Sequence, residues 1–316
     1  MNAFPSVVVG AGISGLLLAR TLQAAGQAVI VLEKSRGVGG RMATKRVGET
    51  SFDQGAQFFT ARTPEFQRLT ATWVQAGAAG AWPGTEHRRW IGQPAMTAVP
   101  KALAAGLEVR RETKVVAARR RDDGAWDLEI EGQATLVAGR LLMACPVPQA
   151  LALLAAGGTT LPEDLAAALG RLTYHPCLAL LAVLGGPSAV PAEGIAPAAG
   201  PLRWVADNVR KGVARGVPAA VTLHATPEYS AKHYATPEAE VAADLLAAAA
   251  PWLGAPAVAT ALHRWKFSEP AATHPEPCVW RPELGLGFAG DAFGGPKVEG
   301  AALSGLALAA AAIGGA

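Results

Sequence analysis

The stretch that decides the fold is Ser6–Gly15, which runs Ser-Val-Val-Val-Gly-Ala-Gly-Ile-Ser-Gly. Its apolar half predicts a strand, its glycines predict a tight turn, and the leucine-rich residues that follow predict a helix. A second apolar run, Ala28–Leu32, predicts another strand, which ends on Glu33. Strand, turn, helix, strand and terminal acid together form the βαβ unit that binds a dinucleotide.

Each glycine of the turn has a separate task in such a unit. Gly10 permits the tight turn, Gly12 lets the backbone approach a pyrophosphate, and Gly15 lets the helix pack closely on the strand. The phosphates are expected at the helix N-terminus, where free N–H groups and the helix dipole favour an anion. Glu33 is placed to accept hydrogen bonds from ribose hydroxyls. The motif indicates a dinucleotide without deciding between NAD and FAD.

Two further segments favour FAD. Lys34–Met42 is a second glycine-rich turn, where a plain nicotinamide-binding fold would usually continue into a helix. Arg41 would supply a forked cation for the charge of the pyrophosphate. Phe52–Thr60 is an alternating segment with Gly55 in its middle, and a glycine there indicates close approach of a flat ligand or of another backbone.

The C-terminal segment has the form of a flavin contact. A short apolar run, Leu286–Ala289, ends on Gly290 and Asp291, and a small-residue loop then leads into an Ala- and Leu-rich helix. Asp291 would bond a ribityl hydroxyl, and the positive end of the helix would face the flavin pyrimidine. The apolar helix, predicted over Ala301–Ile313, is shorter than the about 20 residues of a membrane span.

Composition and charge bear on the binding partners, metal sites and location expected for the protein. The chain has 316 residues, 17% of them charged, and a net charge of +3, so nothing favours a nucleic-acid partner. The basic run Arg119–Arg121 precedes an Asp122–Gly124 turn and predicts a solvated hairpin end. Three separated cysteines without a CxxC spacing favour neither disulfides nor a metal site. No basic region precedes the first apolar run, so we expect a cytoplasmic protein without signal peptide or membrane span.

The order of predicted elements gives an α/β fold with two domains. The first is a Rossmann-type FAD-binding domain with a β-meander, and the second is a mixed α+β substrate domain. The segments expected for the FAD-binding domain are 1–62, 108–160 and 280–316. Those expected for the substrate domain are 63–107 and 161–279.

These segments resemble those of the amine-oxidase-like flavoprotein superfamily, and within it they are most similar to the bacterial renalases. The resemblance covers nearly the whole chain. The glycine turn at Gly10–Gly15 and the second one at Gly39–Met42 occur in many FAD enzymes. Gly55–Thr60 and Lys297–Gly300 narrow the resemblance to renalase-like proteins. The residues that carry it are Gly10–Gly15, Glu33, Gly39–Met42, Asp53–Thr60, Arg264–Phe267, Gly290, Asp291 and Val298–Gly300.

For the fold, the resemblance implies an amine-oxidase/p-hydroxybenzoate-hydroxylase-like architecture with non-covalent FAD. It implies a backbone contact to adenine at Val115. No cysteine adjoins Gly290 and Asp291 in the sequence, so a thioether to the flavin is not expected. The implied cofactor-binding residues are Gly10, Gly12, Ser14, Gly15, Glu33, Lys34, Gly40, Arg41, Gln57, Phe58, Val115, Gly290, Asp291, Val298 and Glu299.

For the activity, the resemblance implies oxidation of isomeric dihydronicotinamide dinucleotides, 1,2-dihydro-NAD(P), to NAD(P)+, with electrons passed to O2 to give hydrogen peroxide. A flavin accepts a hydride directly, so the protein supplies orientation and electrostatics. The sequence agrees, since it has no Ser-His-Asp order and no HExxH motif. The residues expected to position the substrate are Gln57, Thr60, Trp265 and Phe267, the last two on one side of a strand.

Two other functions stay open at this point. A flavin amine oxidase acting on a small amine would need an aromatic cage around the substrate nitrogen, and none of Tyr174, Tyr229 and Tyr234 adjoins the terminal Gly-Asp motif. A non-catalytic protein would hold FAD or another nucleotide as a structural or sensing ligand. Core packing is an equally simple explanation for Trp265. The sequence leaves the isomer, the NAD or NADP form and the oligomeric state open.

Overall fold

The computed structural model describes residues 4–82 and 89–314, and the chain divides into two compact units. The segments of unit 1 are 1–40, 100–173 and 269–316. Those of unit 2 are 41–99 and 174–268.

The strands and helices are numbered in chain order. The strands are β1 (Ser6–Val9), β2 (Val29–Leu32), β3 (Thr44–Val47), β4 (Thr50–Asp53), β5 (Ala79–Ala81), β6 (Trp90–Gly92), β7 (Val109–Arg110), β8 (Val115–Arg120), β9 (Trp126–Ile130), β10 (Leu136–Ala138), β11 (Arg140–Met143), β12 (Tyr174–Leu184), β13 (Leu202–Asp207), β14 (Ala219–Ala225), β15 (Ala257–Pro270), β16 (Val279–Arg281) and β17 (Leu286–Phe288). The helices are α1 (Ile13–Ala24), α2 (Pro64–Gln75), α3 (Ala98–Ala104), α4 (Val147–Ala156), α5 (Glu163–Gly170), α6 (Pro227–Lys232), α7 (Glu238–Leu253) and α8 (Lys297–Gly314).

Unit 1 is built on a six-stranded sheet in the order β16-β17-β11-β1-β2-β7. β1 pairs in parallel with β2 and β11, β11 with β17 and β2 with β7, whereas β16 at the edge is antiparallel to β17. Every residue of β1 and β2 is buried, which is typical of a parallel sheet covered on both faces. The predicted α/β dinucleotide fold is therefore confirmed.

The β-meander of unit 1 is the antiparallel set β8, β9 and β10. The predicted turn at Asp122–Gly124 joins β8 to β9, and Gly124 has φ +85°. Arg119 pairs with Asp127 at 2.9 Å, and the other arginines of this run are also exposed. The basic run is thus a solvated hairpin end, as predicted.

Unit 2 is built on a four-stranded sheet in the order β13-β14-β12-β15. One face packs on α7, which contributes Val241, Leu245 and Leu253 to the core. The other face carries Leu181, which packs with Phe52 of the β3–β4 hairpin. Alternating residues of the strands thus serve two different layers of unit 2.

The observed units differ from the predicted domains in four segments. Residues 41–62, expected in the FAD-binding domain, belong to unit 2 because Phe52 packs into the core on its sheet. The segments expected in the substrate domain but found in unit 1 are 100–107, 161–173 and 269–279. The first of them joins unit 1 because Arg20 of α1 donates to Leu103 O at 3.2 Å. Packing between residues distant in sequence, which no local pattern reveals, decides these boundaries.

The last helix packs against α1 through a glycine. α8 begins at Lys297 and has 18 residues with a mean hydropathy of 1.3, so the expectation that it is too short for a membrane span was wrong. Within unit 1 it is a packed helix, because the Gly305 backbone lies against Ser14 of α1. A Cβ on Gly305 would collide with the Ser14 carbonyl oxygen.

Gly305→Ala should therefore push α8 away from α1 and lower the free energy of unfolding by about 1–3 kcal/mol. Chemical denaturation followed by circular dichroism measures this loss. Gly170→Ala is the control, since Gly170 is also helical, at the end of α5, but has nothing within 4 Å of its would-be Cβ. Equal unfolding midpoints for the two variants would contradict the packing argument.

Candidate active site

The glycine turn of unit 1 joins β1 to α1. Gly10 has φ +111°, which residues with a Cβ rarely adopt, and its N–H donates to Leu32 O at 2.8 Å. A Cβ on Gly12 would meet nothing within 4 Å, so its backbone is open to a ligand. A Cβ on Gly15 would lie 3.0 Å from the Ala144 Cβ and would collide with the Gly10 carbonyl. This is the geometry that a pyrophosphate-binding turn requires.

The hydroxyl of Ser14 is a polar group that the described residues leave unused. Ser14 is 4% exposed in the first turn of α1, and its Oγ has no hydrogen-bond partner among residues 4–82 and 89–314. Leaving a buried hydroxyl unpaired costs about 1–3 kcal/mol. A phosphate oxygen at this helix N-terminus would accept hydrogen bonds from the hydroxyl and from the free N–H groups. The turn therefore fits the phosphates of a dinucleotide.

The buried carboxylate of Glu33 is held by the turn itself. Its Oε2 accepts the Ala11 N–H at 3.0 Å, and its Oε1 accepts the Ser35 N–H at 2.8 Å. Each oxygen retains a lone pair for a ribose hydroxyl. The Thr113 N–H donates to Glu33 O at 2.9 Å, which brings Val115 of β8 to the same end of the sheet. Sequence reasoning assigned Glu33 to the ribose and missed its second task of tying the turn to β2.

The second glycine-rich turn lies against the first. The Gly39 N–H donates to Ala11 O at 2.8 Å, and a Cβ on Gly40 would lie 3.6 Å from the Gly12 Cα. Lys34, at the start of this segment, is exposed. Two glycine stretches separated in the sequence thus meet beside β1 and β2.

The C-terminal motif reaches the same region of unit 1 through α8. The Gly290 N–H donates to Ser304 Oγ at 2.9 Å, and the next residue of α8 packs on α1 as described above. Asp291 is buried, and Val298 and Glu299 lie in the first turn of α8. In unit 1, Glu33, Gly39 and Gly305 therefore each contact residues 11–14 at the start of α1.

A cysteine lies closer to this motif than the sequence predicted. Val279 pairs with Phe288 across the antiparallel β16–β17 ladder, so Cys278 adjoins the strand that leads into the Gly-Asp motif. Burial, and to a smaller extent Glu276, raises the pKa of the Cys278 thiol, which disfavours the nucleophilic thiolate. Non-covalent FAD stays the expectation. In the described part of the chain, no three His, Cys, Asp or Glu side chains are grouped so as to hold a metal ion.

A buried ion pair anchors the segment of unit 2 that follows β4. The Lys211 side chain is 0% exposed and that of Asp53 is 1% exposed, with Nζ 2.9 Å from Asp53 Oδ2. Nζ also donates to Gln57 O at 2.9 Å and to Gln57 Oε1 at 3.2 Å. All three donors of the ammonium are therefore used. Burial lowers the pKa of Lys211, and the Asp53 carboxylate acts in the opposite direction.

Asp53 is bonded through its backbone as well as its side chain. Oδ1 accepts the Thr44 hydroxyl at 2.8 Å and the Met96 N–H at 3.1 Å. The Asp53 N–H donates to Asn208 Oδ1 at 3.0 Å, and the Thr222 hydroxyl donates to Asp53 O at 3.1 Å. Sequence reasoning missed Lys211 and Asn208, because both stand in a polar turn whose pattern is that of any solvated loop.

The structure gives Gln57 a different task from the predicted one. Its Oε1 accepts from Lys211, and its Nε2 donates to Asp53 O and, at 3.2 Å, to Gly55 O. The amide expected to position a substrate thus stabilises its own loop instead. Thr60, the other predicted polar residue, lies partly buried after the bridge that pairs Phe59 with a residue of β6.

One side of β15 presents a row of half-buried rings. His263, Trp265 and Phe267 alternate along the strand, and His263 meets Trp265 edge-on with centroids 4.3 Å apart. The Trp265 indole N–H donates to Gln54 O at 3.1 Å. Tyr174 meets Phe267 edge-on at 5.8 Å. The predicted placement of Trp265 and Phe267 on one side of a strand agrees with this arrangement.

Arg41 lies beside this row in unit 2. Its Nη1 donates to Ser268 O at 3.0 Å, and its guanidinium carbon is 5.8 Å from the centre of the Tyr174 ring. Arg41 O accepts the Ala56 N–H at 2.8 Å, which ties it to the loop after β4. The predicted pyrophosphate contact of Arg41 remains a prediction.

A second aromatic group contains Phe58, which was predicted to contact the cofactor. The rings of Phe58, Trp82 and Trp204 lie 5.5–6.3 Å apart. The Arg89 guanidinium carbon is 4.5 Å from the Phe58 centroid and 5.4 Å from that of Trp204. Lys211 Nζ is 5.3 Å from the centroid of Trp82. Spacing in the sequence gave no signal for this group.

Two models of known protein families match this sequence. A family model described as flavin containing amine oxidoreductase matches residues 82–313. A second, described as NAD(P)-binding Rossmann-like domain, matches residues 8–75. Together the two matches identify FAD as the cofactor.

Solved structures share this fold over nearly the whole chain. A protein from Exiguobacterium sp. 255-15 assigned as a protoporphyrinogen oxidase has a TM-score of 0.71 at 14% identity, covering 98% of this chain and 99% of that one. Putrescine oxidase bound to putrescine has a TM-score of 0.67 at 16% identity, covering 98% and 99%. Cyclohexylamine oxidase from Brevibacterium oxydans IH-35A has a TM-score of 0.67 at 13% identity, covering 98% of each chain. These likenesses show the fold alone.

The unpaired hydroxyl of Ser14 gives a test of the cofactor site. The purified protein should be yellow and should release intact FAD on denaturation. Ser14→Ala should weaken FAD binding about five- to tenfold, the loss of one hydrogen bond, while the stability of the apoprotein changes little. Fluorescence titration of the apoprotein with FAD measures the binding, and urea denaturation of the apoprotein measures the stability. Thr70→Ala is the control, because it removes another buried, unpaired hydroxyl in unit 2, and equal weakening by the two would contradict the assignment.

The Lys211–Asp53 pair gives a test of the anchoring argument. Lys211→Met leaves a buried carboxylate without its cation and should cost about 3–5 kcal/mol of unfolding free energy, measured by urea denaturation. Adding Asp53→Asn should recover part of this loss. Lys114→Met breaks an exposed pair with Glu131 and should change stability by at most about 1 kcal/mol. A loss from Lys211→Met as small as that control would refute the argument.

Proposed function

This chain belongs to the flavin containing amine oxidoreductase family, and on that premise we propose that it oxidises isomeric dihydronicotinamide dinucleotides, 1,2-dihydro-NAD(P), to NAD(P)+. The family supports a FAD-dependent oxidoreductase acting on a small molecule. The proposed reaction transfers one hydride from the substrate, and O2 then takes up the two electrons and the proton of that hydride together with one further proton from solvent, giving H2O2. When bound, FAD supplies the hydride acceptor.

The observation that carries the proposal is the placement of cations on aromatic rings in unit 2. Arg89 lies over Phe58, and Lys266 Nζ is 5.5 Å from the Phe267 centroid. Arg41 lies over Tyr174 in the same manner. Protein cations therefore occupy ring faces that would otherwise attract a positively charged ligand.

This charge arrangement favours an anionic substrate over a cationic one. A dinucleotide carries a pyrophosphate, which cationic side chains attract, whereas a protonated amine is repelled by them. In the proposal, Trp265 and Phe267 hold the plane of the dihydronicotinamide ring, and Thr60 lies at its edge. A hydride leaves only from a carbon held within about 3–3.5 Å of flavin N5, so positioning decides which isomer reacts.

Amine oxidation is the second candidate, and the structural neighbours favour it. Putrescine oxidase and cyclohexylamine oxidase share the fold. An amine site needs ring faces open to the substrate nitrogen. The rings along β15 instead meet neighbouring rings edge-on, with interplanar angles of 81° for Phe267 with Tyr174 of β12 and 69° for Trp265 with His263. This geometry supports the dinucleotide proposal over the amine one.

Anaerobic stopped-flow spectroscopy of the flavin band tests the proposal. We expect rapid reduction by 1,2-dihydro-NAD(P), slow or no reduction by ordinary 1,4-NADH, and none by common amines, because a pocket that holds the ring's C2 near N5 misaligns C4. The anaerobic reduction should release NAD(P)+, and admitting air should then yield an equal amount of H2O2.

Dithionite serves as the control reductant, since it needs no binding site. Faster reduction by putrescine or cyclohexylamine than by every dihydronicotinamide isomer would assign the chain to amine oxidation. Flavin that dithionite reduces but no substrate reduces would favour the non-catalytic alternative.

A further inference from the structure

The guanidinium of Arg89 is surrounded by aromatic rings of unit 2 but makes few hydrogen bonds. Its central carbon is 4.5 Å from the Phe58 centroid, 5.4 Å from that of Trp204 and 5.9 Å from that of Trp82. Its only hydrogen bond within the described part of the chain runs from Nη1 to Glu193 O, at 3.0 Å. Most N–H donors of this guanidinium therefore have no partner there.

The aromatic rings do not replace the missing hydrogen bonds of Arg89. Cation–π attraction acts on the charge, whereas the N–H groups of a guanidinium need oxygen atoms in its own plane. Arg89 is half-buried, and neither Nε nor Nη2 belongs to the wholly buried atoms that lack a partner. Both unbonded nitrogens are therefore within reach of a ligand.

An arginine that serves only to hold the fold together has a different pattern of bonds in this chain. Arg140 of unit 1 donates from Nε to Ser6 Oγ, from Nη1 to Ala312 O and from Nη2 to Gln27 Oε1. Each of its side-chain nitrogens is thus used within the protein. Arg89 uses Nη1 alone, so cohesion of unit 2 does not account for its fork of donors.

One tight turn holds the aromatic cluster around Arg89 in place. The Trp82 indole N–H donates to Ala192 O at 3.0 Å, two residues before Gly194. A Cβ on Gly194 would lie 2.5 Å from the Trp204 ring, so the turn and this ring are in close contact. Arg89 bonds the residue between these two. The guanidinium is therefore preorganised, and a ligand that binds it does not have to order it.

The surroundings of this cluster are electropositive. In the part of the chain that the structure describes, no carboxylate lies within 4.0 Å of the Arg89 guanidinium. His224 is the cross-strand neighbour of Trp204 on β13 and β14. Burial lowers the pKa of His224 to about 4, and the charges of Lys211 and Arg203 act in the same direction. An unpaired cation in such a field attracts an anion.

We propose that Arg89 binds the phosphates of the dinucleotide substrate, with Nε and Nη2 donating to phosphate oxygens. This inference rests on the proposed function, because a dihydronicotinamide dinucleotide carries a pyrophosphate. It gives unit 2 a phosphate-binding residue of its own, separate from the glycine turn that unit 1 offers to FAD. No motif in the sequence marked Arg89, since the rings that hold it come from distant segments.

The chemistry of the guanidinium selects a phosphate over the amine of the second candidate function. Its fork of N–H groups matches two oxygen atoms of one anion, and charge-assisted bonds of this kind are about twice as strong as neutral ones. A protonated amine offers only donors, so it would leave the Arg89 donors unpaired and would be repelled by their charge.

Calorimetric titration of the FAD-loaded protein with nicotinamide mononucleotide and with nicotinamide riboside tests this assignment, because the two ligands differ by a single phosphate. The wild type should bind the mononucleotide about ten- to a hundredfold more tightly. Arg89→Met, which removes the fork, should reduce that preference to within about threefold. Arg89→Lys should lower it about three- to tenfold, since a point charge replaces the fork.

Arg68→Met is the control variant, because it removes an exposed cation from α2 in the same unit. It should leave the preference for the mononucleotide unchanged. A purely structural role of Arg89 would weaken both ligands alike, so the ratio of the two dissociation constants separates binding of the phosphate from support of the fold. FAD content and the unfolding midpoint show whether each variant is intact.

The outcomes separate this inference from the proposed function. If 1,2-dihydro-NAD(P) reduces the flavin, the phosphate inference alone is overturned by a wild type that does not prefer the mononucleotide, or by an Arg89→Met variant that keeps the full preference. Binding of neither ligand, with no reduction by any isomer, overturns both. If Arg89→Met does not fold, the wild-type comparison and Arg89→Lys decide, and an unchanged preference in Arg89→Lys then overturns the inference.

Discussion

A buried ion pair holds the loop that follows β4 in unit 2. Lys211 and Asp53 lie 2.9 Å apart and are almost wholly buried. Moving two charges out of water costs several kcal/mol per ion, and the loss is offset only when every remaining donor and acceptor is used. Lys211 uses its other donors on Gln57, and Asp53 accepts from Thr44 and from a backbone N–H. We infer that the pair serves position more than stability.

The ion pair leaves two nearby glutamines with different hydrogen bonding. The Gln57 side chain accepts a hydrogen bond from Lys211, whereas the side-chain oxygen of Gln54 has no hydrogen-bond partner. Both belong to the same short loop, and both have the residue type that substrate positioning calls for. The Lys211 ammonium bonds the Gln57 side chain and not that of Gln54. The Trp265 indole then bonds Gln54 O, so the aromatic row of β15 and the loop depend on each other.

The dinucleotide side is organised by close approach of backbone rather than by charge. Gly10, Gly15 and Gly305 each stand where a Cβ would collide or come within 3.1 Å of a neighbouring backbone, and together they bring β1, α1 and α8 into contact. Ser14 stands at the centre of that packing with an unpaired hydroxyl. Rigid packing around an unsatisfied polar group is what a preorganised phosphate site requires, because the group has no other partner to abandon when the ligand binds.

The sequence by itself determined the βαβ unit, its glycine turn and Glu33, because their signals are local: adjacent residues set turn, strand and helix within a few positions of one another. It also placed Trp265 and Phe267 on one side of a strand, since alternation is a local property. Only the tertiary structure decided that residues 41–62 join unit 2, that Cys278 adjoins the strand leading into the Gly-Asp motif, and that Lys211 binds Asp53. These outcomes depend on contacts between residues far apart in the chain, and the burial that makes such contacts strong is invisible until the chain has folded.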